Sequence, residues 1–143
     1  MLTINGPVIL AVANNLLIES TAKIVITANG SLRLHVGGDV QIGGNGIDNQ
    51  THVPKNFILI ATRDSDESFS LDATAPLYGA IYAPLNAFTV SSTTTIYGAI
   101  VARSVTFQGS PTIHYDIALR NVAFSGIDIP YAVSDWRETT NAD

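Results

Sequence analysis

Few residues in this chain are spaced for chemistry. Asp64, Asp66 and Glu67 stand close together, as in glycosidases where one carboxyl donates a proton and another activates water. β-Helical lyases also want basic residues beside such acids, and only Arg63 is at hand. A run this polar reads more simply as a solvated turn. His35, His52 and His114 are scattered without metal-ligand spacing and read as surface histidines. His114 and Asp116 share a strand face, where they are placed to hydrogen-bond. Gly43-Gly44-Asn45-Gly46-Ile47-Asp48 matches the opening of the calcium-binding β-roll nonapeptide, which makes Asp48 the one metal candidate. Gln50 stands where that motif needs a large apolar residue, and the motif occurs once, so a Gly-rich turn is the preferred reading. Asn49-Gln50-Thr51 is a glycosylation acceptor pattern short enough to arise by chance. No Gly-x-Ser-x-Gly elbow is present. The expectation is a non-enzymatic protein without a cofactor.

Composition narrows the class further. The 143 residues suit one domain with a substantial core. Charged residues make up 13%, against roughly 25% in ordinary soluble domains, while 46% are hydrophobic. A net charge of −5, with 7 Lys and Arg of which no two adjoin, argues against nucleic acid as a partner. With no Cys there are no disulfides, thiolate metal sites or Cys nucleophiles. No segment approaches the ~20 apolar residues of a membrane span, and no signal peptide is visible.

What must position any site is a repeat. Leu77-Tyr78-Gly79-Ala80-Ile81-Tyr82-Ala83 returns as Ile96-Tyr97-Gly98-Ala99-Ile100-Val101-Ala102 after 19 residues (97 − 78). Repetition at that scale marks a solenoid, whose units bury their apolar faces by stacking. The alternation within each copy is that of a strand. Two copies one coil apart predict an all-β, single-stranded parallel β-helix, right-handed by the general preference of parallel crossovers. Leu77, Gly79, Ile81 and Ala83 then lie inward over Ile96, Gly98, Ile100 and Ala102. With a two-residue deletion, Phe88-Thr89-Val90 falls over Val105-Thr106-Phe107, so that each Phe meets a Val and layer volume holds. Ile113 opens a third, incomplete coil.

The rest of the chain fits the same plan less tightly. Short apolar runs at Val8–Val12, Leu16–Ile18, Ile24–Ile26, Leu32–Val36 and Val40–Ile42 are separated by turn residues. Strands this short also suit a β-sandwich, with Asn29-Gly30 as its one candidate hairpin. Residues 43–56 read as a loop leaving the solenoid, and Phe57–Ala61 as a buried strand returning to it. The solenoid is assigned to 1–115. Residues 116–143 form a C-terminal cap and tail, with Asp116 capping a short helix through Ala123 that stops at Gly126.

The segments Leu77 to Ala87, Ile96 to Ala102 and Ile113-His114-Tyr115-Asp116 resemble a family of uncharacterised β-helical C-terminal domains on bacterial surface proteins. Some members follow a type IV pilin-like N-terminal helix. Val36-Gly37-Gly38-Asp39-Val40 with Gly43-Gly44-Asn45-Gly46, and Trp136-Arg137-Glu138, also look like it. The resemblance implies a non-catalytic role outside the cell, at the surface or near pili, with other surface or pilus proteins as partners. No segment of this sequence reads as such an anchoring helix, and Ser91 to Thr95 stands where the family often turns on Gly.

The outward face of the repeat is where function is sought. Tyr78, Ala80 and Tyr82 stack over Tyr97, Ala99 and Val101, an apolar exterior that a soluble monomer seldom leaves bare. Covering by the C-terminal segment, through Ile117, Leu119, Val122 or Phe124, is preferred over a protein partner or a second copy. Two other functions compete with a structural or adhesion role. One is a carbohydrate-binding or carbohydrate-active β-helix that uses Tyr78, Tyr82 and Tyr97 as platforms. The other is an end-to-end, self-assembling polymer.

Overall fold

Short runs of β-branched and aliphatic residues broken by Gly, Asn and Asp cannot make long strands, and the chain coils instead. The computed structural model describes residues 1–62 and 67–121. Three strands make the first coil: β1 (Leu2–Ile4), β2 (Pro7–Val12) and β3 (Leu16–Ile18). The second is β4 (Ile24–Ile26), β5 (Ser31–Val36) and β6 (Val40–Gly44). The third is β7 (Ile47–Asn49), a 3-10 turn at Pro54–Asn56, β8 (Phe57–Ala61) and β9 (Ser68–Ala73). Then β10 (Leu77–Val90) and β11 (Thr95–Phe107) each serve two faces as one bent strand, and β12 (Thr112–His114) starts another coil. Every pairing is parallel, and the whole is a β-solenoid of about 4 turns.

The pairing of β10 with β11 is the expected one residue for residue. Leu77 lies on Ile96, Tyr78 on Tyr97, Gly79 on Gly98 and Ile81 on Ile100; after a slip between Ala83 and Ala87, Phe88 lies on Val105 and Val90 on Phe107. Ile113 follows on Ile96 in the next coil. Inside, one column runs Leu16, Val40, Phe69, Phe88, Val105 and the next runs Ile18, Ile42, Leu71, Val90, Phe107. Phe57, Phe69 and Phe88 are fully buried, and each such side chain stabilises by about 1.5–3 kcal/mol.

Three expectations are corrected. Asn29-Gly30 is no hairpin: the Gly30 N–H donates to the Thr27 carbonyl and closes a corner, so the sandwich has no basis. Residues 43–56 do not loop out either. β6 runs on to Gly44, and β7 pairs with β4, Ile24 on Ile47 and Ile26 on Asn49. Gly44 and Gly46 take φ of +57° and +55°, which turns the chain tightly enough for Ile47 to enter the core column. The short helix expected after Asp116 is a 3-10 turn at Ile117–Asn121, with the Asp116 carboxylate accepting from the Ala118 N–H at 2.9 Å. Its proposed continuation to Ala123 and Gly126, like Arg63, Asp64, Asp66 and the tail, lies outside the described residues.

Polar contacts fasten the corners. Asp39 accepts from the Ser68 N–H (2.8 Å) and hydroxyl (3.1 Å) of the coil above. From the coil below, the Asn15 amide donates to Asp39 at 3.5 Å and its oxygen accepts from the Asp39 N–H. The Ser68 N–H holds the Asp39 carboxyl below its ordinary value; lost solvation opposes this, and the Ser68 hydroxyl and Glu67 side chain add to the lowering.

At Gly98, φ is +149° and an added Cβ would run into the carbonyl oxygen of Gly79 beneath it. Gly98→Ala should therefore lower unfolding free energy by at least about 1–3 kcal/mol in urea titration. Gly6→Ala, where nothing lies within 4 Å, should leave it unchanged. Asp39 gives a second test. A carboxyl with a depressed folded pKa stabilises above its unfolded value of about 3.9, and that stability disappears as pH falls through the folded value. Asp39→Asn should cost stability at neutral pH, with the gap to wild type closing below that window.

Candidate functional site

In-register strands hold equivalent side chains about 4.8 Å apart, which is close to the stacking distance of aromatic rings. The first outward column of the repeat uses this. Tyr78 and Tyr97 are parallel, with centroids 4.5 Å apart and 6° between planes. His52 stacks on Tyr78 at 4.7 Å, and His114 stacks on Tyr97 at 4.9 Å. Four rings thus make one ladder across the outside of the coil. Its edges, with Pro54, Tyr115, Asp116 and Ile117, line a shallow cleft of ≈ 280 Å³.

Each end of the ladder has a local cause. His114 occupies the position in β12 that pairs with Tyr97, so the repeat register delivers it. It faces Tyr97 rather than Asp116, whose carboxylate caps the following turn. His52 reaches Tyr78 from a turn in which its own φ is +54°. That turn is organised by Asn49, 2% exposed, in the column above Ile26. Its amide donates to the Val53 carbonyl (3.1 Å) and to the Tyr78 carbonyl (2.9 Å). Its oxygen accepts from the Thr51 N–H (3.2 Å) and hydroxyl (2.7 Å). With all four bonds made, the Asn49 amide in the folded chain is a structural post rather than an open glycan acceptor.

The remaining outward residues form a different patch. Ala80 is buried with Ile58 and Ile60 of β8, and Tyr82 and Leu119 pack against this cluster. The C-terminal segment therefore covers part of the apolar exterior through Leu119, whereas Ile117 is 70% exposed. Val122 and Phe124 lie outside the described residues. Ala99 is half-buried and Val101, which pairs with Tyr82, is exposed. Tyr78, Tyr82 and Tyr97 consequently do not form one platform. Tyr82 sits in the covered cluster, and the two ladder tyrosines turn their faces to each other. The part played by Ile58 and Ile60 was hidden, because the run Phe57–Ala61 is apolar on both sides and shows no alternation.

Asp48 points outward, and Lys23 of the coil below reaches it at 3.6 Å, with Gln50 donating at 3.3 Å. An ammonium stands where a calcium site would need further oxygens, and no group of three or more metal-ligating side chains gathers among the described residues. Thr89 and Thr106 stack as expected and continue only to Ser70 and Gln41, too few threonines for a ladder of them. No helix among the described residues is long and apolar enough to cross a membrane.

Searches of curated proteins and of solved structures returned no match. A family match extends over residues 2–122, from β1 to the turn after β12. The chain, a β-solenoid with an aromatic ladder on its outer face, belongs to the family described as Domain of unknown function (DUF7305).

Proposed function

We propose that the chain is a non-enzymatic structural or adhesion-type domain of a bacterial surface or pilus-associated protein, acting outside the cell. The observation that favours this reading over carbohydrate binding is the closed ladder: the ring faces of Tyr78 and Tyr97 are spent on each other, on His52 and on His114. Sugars bind aromatic side chains through free faces, and these two expose only edges. The placement at the cell surface rests on the resemblance of the segments around Leu77, Ile96 and Ile113. The partners implied are other surface or pilus proteins. Antibody against the domain should label intact cells of a native host as fully as lysed ones. Label gained only after lysis would contradict the proposal. On a glycan panel, binding abolished by Tyr82→Ala would instead favour the carbohydrate-binding alternative.

One observation favours end-to-end self-assembly as a second reading. Inner-column residues of the last coils remain open, with Val105, Phe107 and Ile113 at 39%, 49% and 43% exposure. Ser104 to Phe107 pair with β10 on one edge; among the described residues no strand pairs with their other edge, and none of the four carries a charge. Sedimentation over a concentration series should then give growing species, reduced to one size by Phe107→Glu. A single size at every concentration excludes this reading.

A further inference from the structure

We infer that Tyr78 and Tyr97 are an oxidative cross-linking site, joined to dityrosine by a one-electron oxidant of the haem peroxidase and hydrogen peroxide class. The inference is independent of the domain's partners and of its place in the cell.

The chemistry follows from proximity and from what the chain lacks. Thiols and thioethers are the side chains that ordinarily intercept oxidants. This sequence has no Cys and 1 Met, which leaves its phenols among the most oxidisable groups. Of the 5 tyrosines, Tyr78 and Tyr97 are held parallel with centroids 4.5 Å apart. Both are half-buried, and both line the cleft, so their edges meet solvent. Strand register fixes their backbones, because Tyr78 and Tyr97 pair within a continuous run from Leu77/Ile96 to Ala83/Ala102. Two radicals formed there have no distance to diffuse, the situation in which orientation replaces concentration.

In the reaction each phenol loses one electron and one proton to give a phenoxyl radical. The radicals join through a new carbon–carbon bond between ring positions ortho to the oxygens. The two ring hydrogens at that bond leave as protons, the oxygens regain protons, and both rings return to aromatic phenols. Hydrogen peroxide takes up the two electrons and two protons and leaves as two waters. The rings swing from face-to-face toward edge-to-edge about their Cβ–Cγ bonds, on the solvent side of the strands. The product ties successive coils covalently in a chain that has no disulfide to do so.

The test uses the full chain at high dilution with horseradish peroxidase and limiting hydrogen peroxide. Expected are blue dityrosine fluorescence and an intact monomer mass lower by two hydrogens. Chymotryptic cleavage after Phe88 should leave the fragments carrying Tyr78 and Tyr97 joined. Tyr78→Phe and Tyr97→Phe, which keep the stacked ring without the phenol, should each abolish the monomeric product. Tyr82→Phe and Tyr115→Phe should leave it unchanged. Circular dichroism should match wild type in all four, which separates lost chemistry from lost fold. Dityrosine found only in dimers, or a monomeric cross-link that survives in Tyr97→Phe, overturns the inference.

Discussion

Everything in this molecule depends on parallel, in-register stacking of one coil on the next. Register fixes which side chains meet, and the coil spacing fixes how near they come. Inside, that produces continuous columns of Ile, Leu, Val and Phe, in which Phe88 lies against Val105 and Val90 against Phe107. Where the backbone itself comes too close for a side chain, glycine is required, and Gly98 above Gly79 is such a place. Outside, the same spacing brings Tyr78 onto Tyr97 at ring-stacking distance. Core and exterior ladder are two consequences of one geometry.

That geometry also explains why so few charges suffice. Coil corners are held by hydrogen bonds across layers, as at Asn15, Asp39 and Ser68, or around the amide of Asn49. The ion pair of Lys23 with Asp48 is half-exposed at the surface, where such a pair contributes little. A scaffold of this kind presents turns and ring edges to its surroundings and keeps its aromatic faces for itself. Among the described residues, the inner-column positions Val105, Phe107 and Ile113 of the last coils are exposed.

The second half of the fold was legible because β10 and β11 are near-copies. Seven aligned positions, continuing to Phe88 and Val90, gave the register, and Ile113 extended it far enough to put His114 against Tyr97. The first half was harder. Its coils differ in length and share no sequence, so β2, β5 and β8 could be seen as strands but not aligned with one another. Residues 43–56 were misread because Gly, Asn and Asp are turn signals, while only Ile47 marks β7 as a strand. Asn49, polar and yet in the core column, pointed the wrong way because its four hydrogen-bond partners are distant or local groups that only the fold assembles. His52 in the ladder was invisible for the same reason: it reaches Tyr78 from a turn, with no period to announce it.

The most direct test of this account is a double-mutant cycle on the ladder, using urea unfolding of wild type, Tyr78→Ala, Tyr97→Ala and the double variant. Ring stacking between adjacent coils predicts a coupling of about 0.5–1.5 kcal/mol between the two substitutions. Strictly additive losses would contradict it, because they would mean that the two tyrosines do not meet and that β10 and β11 are not stacked in this register.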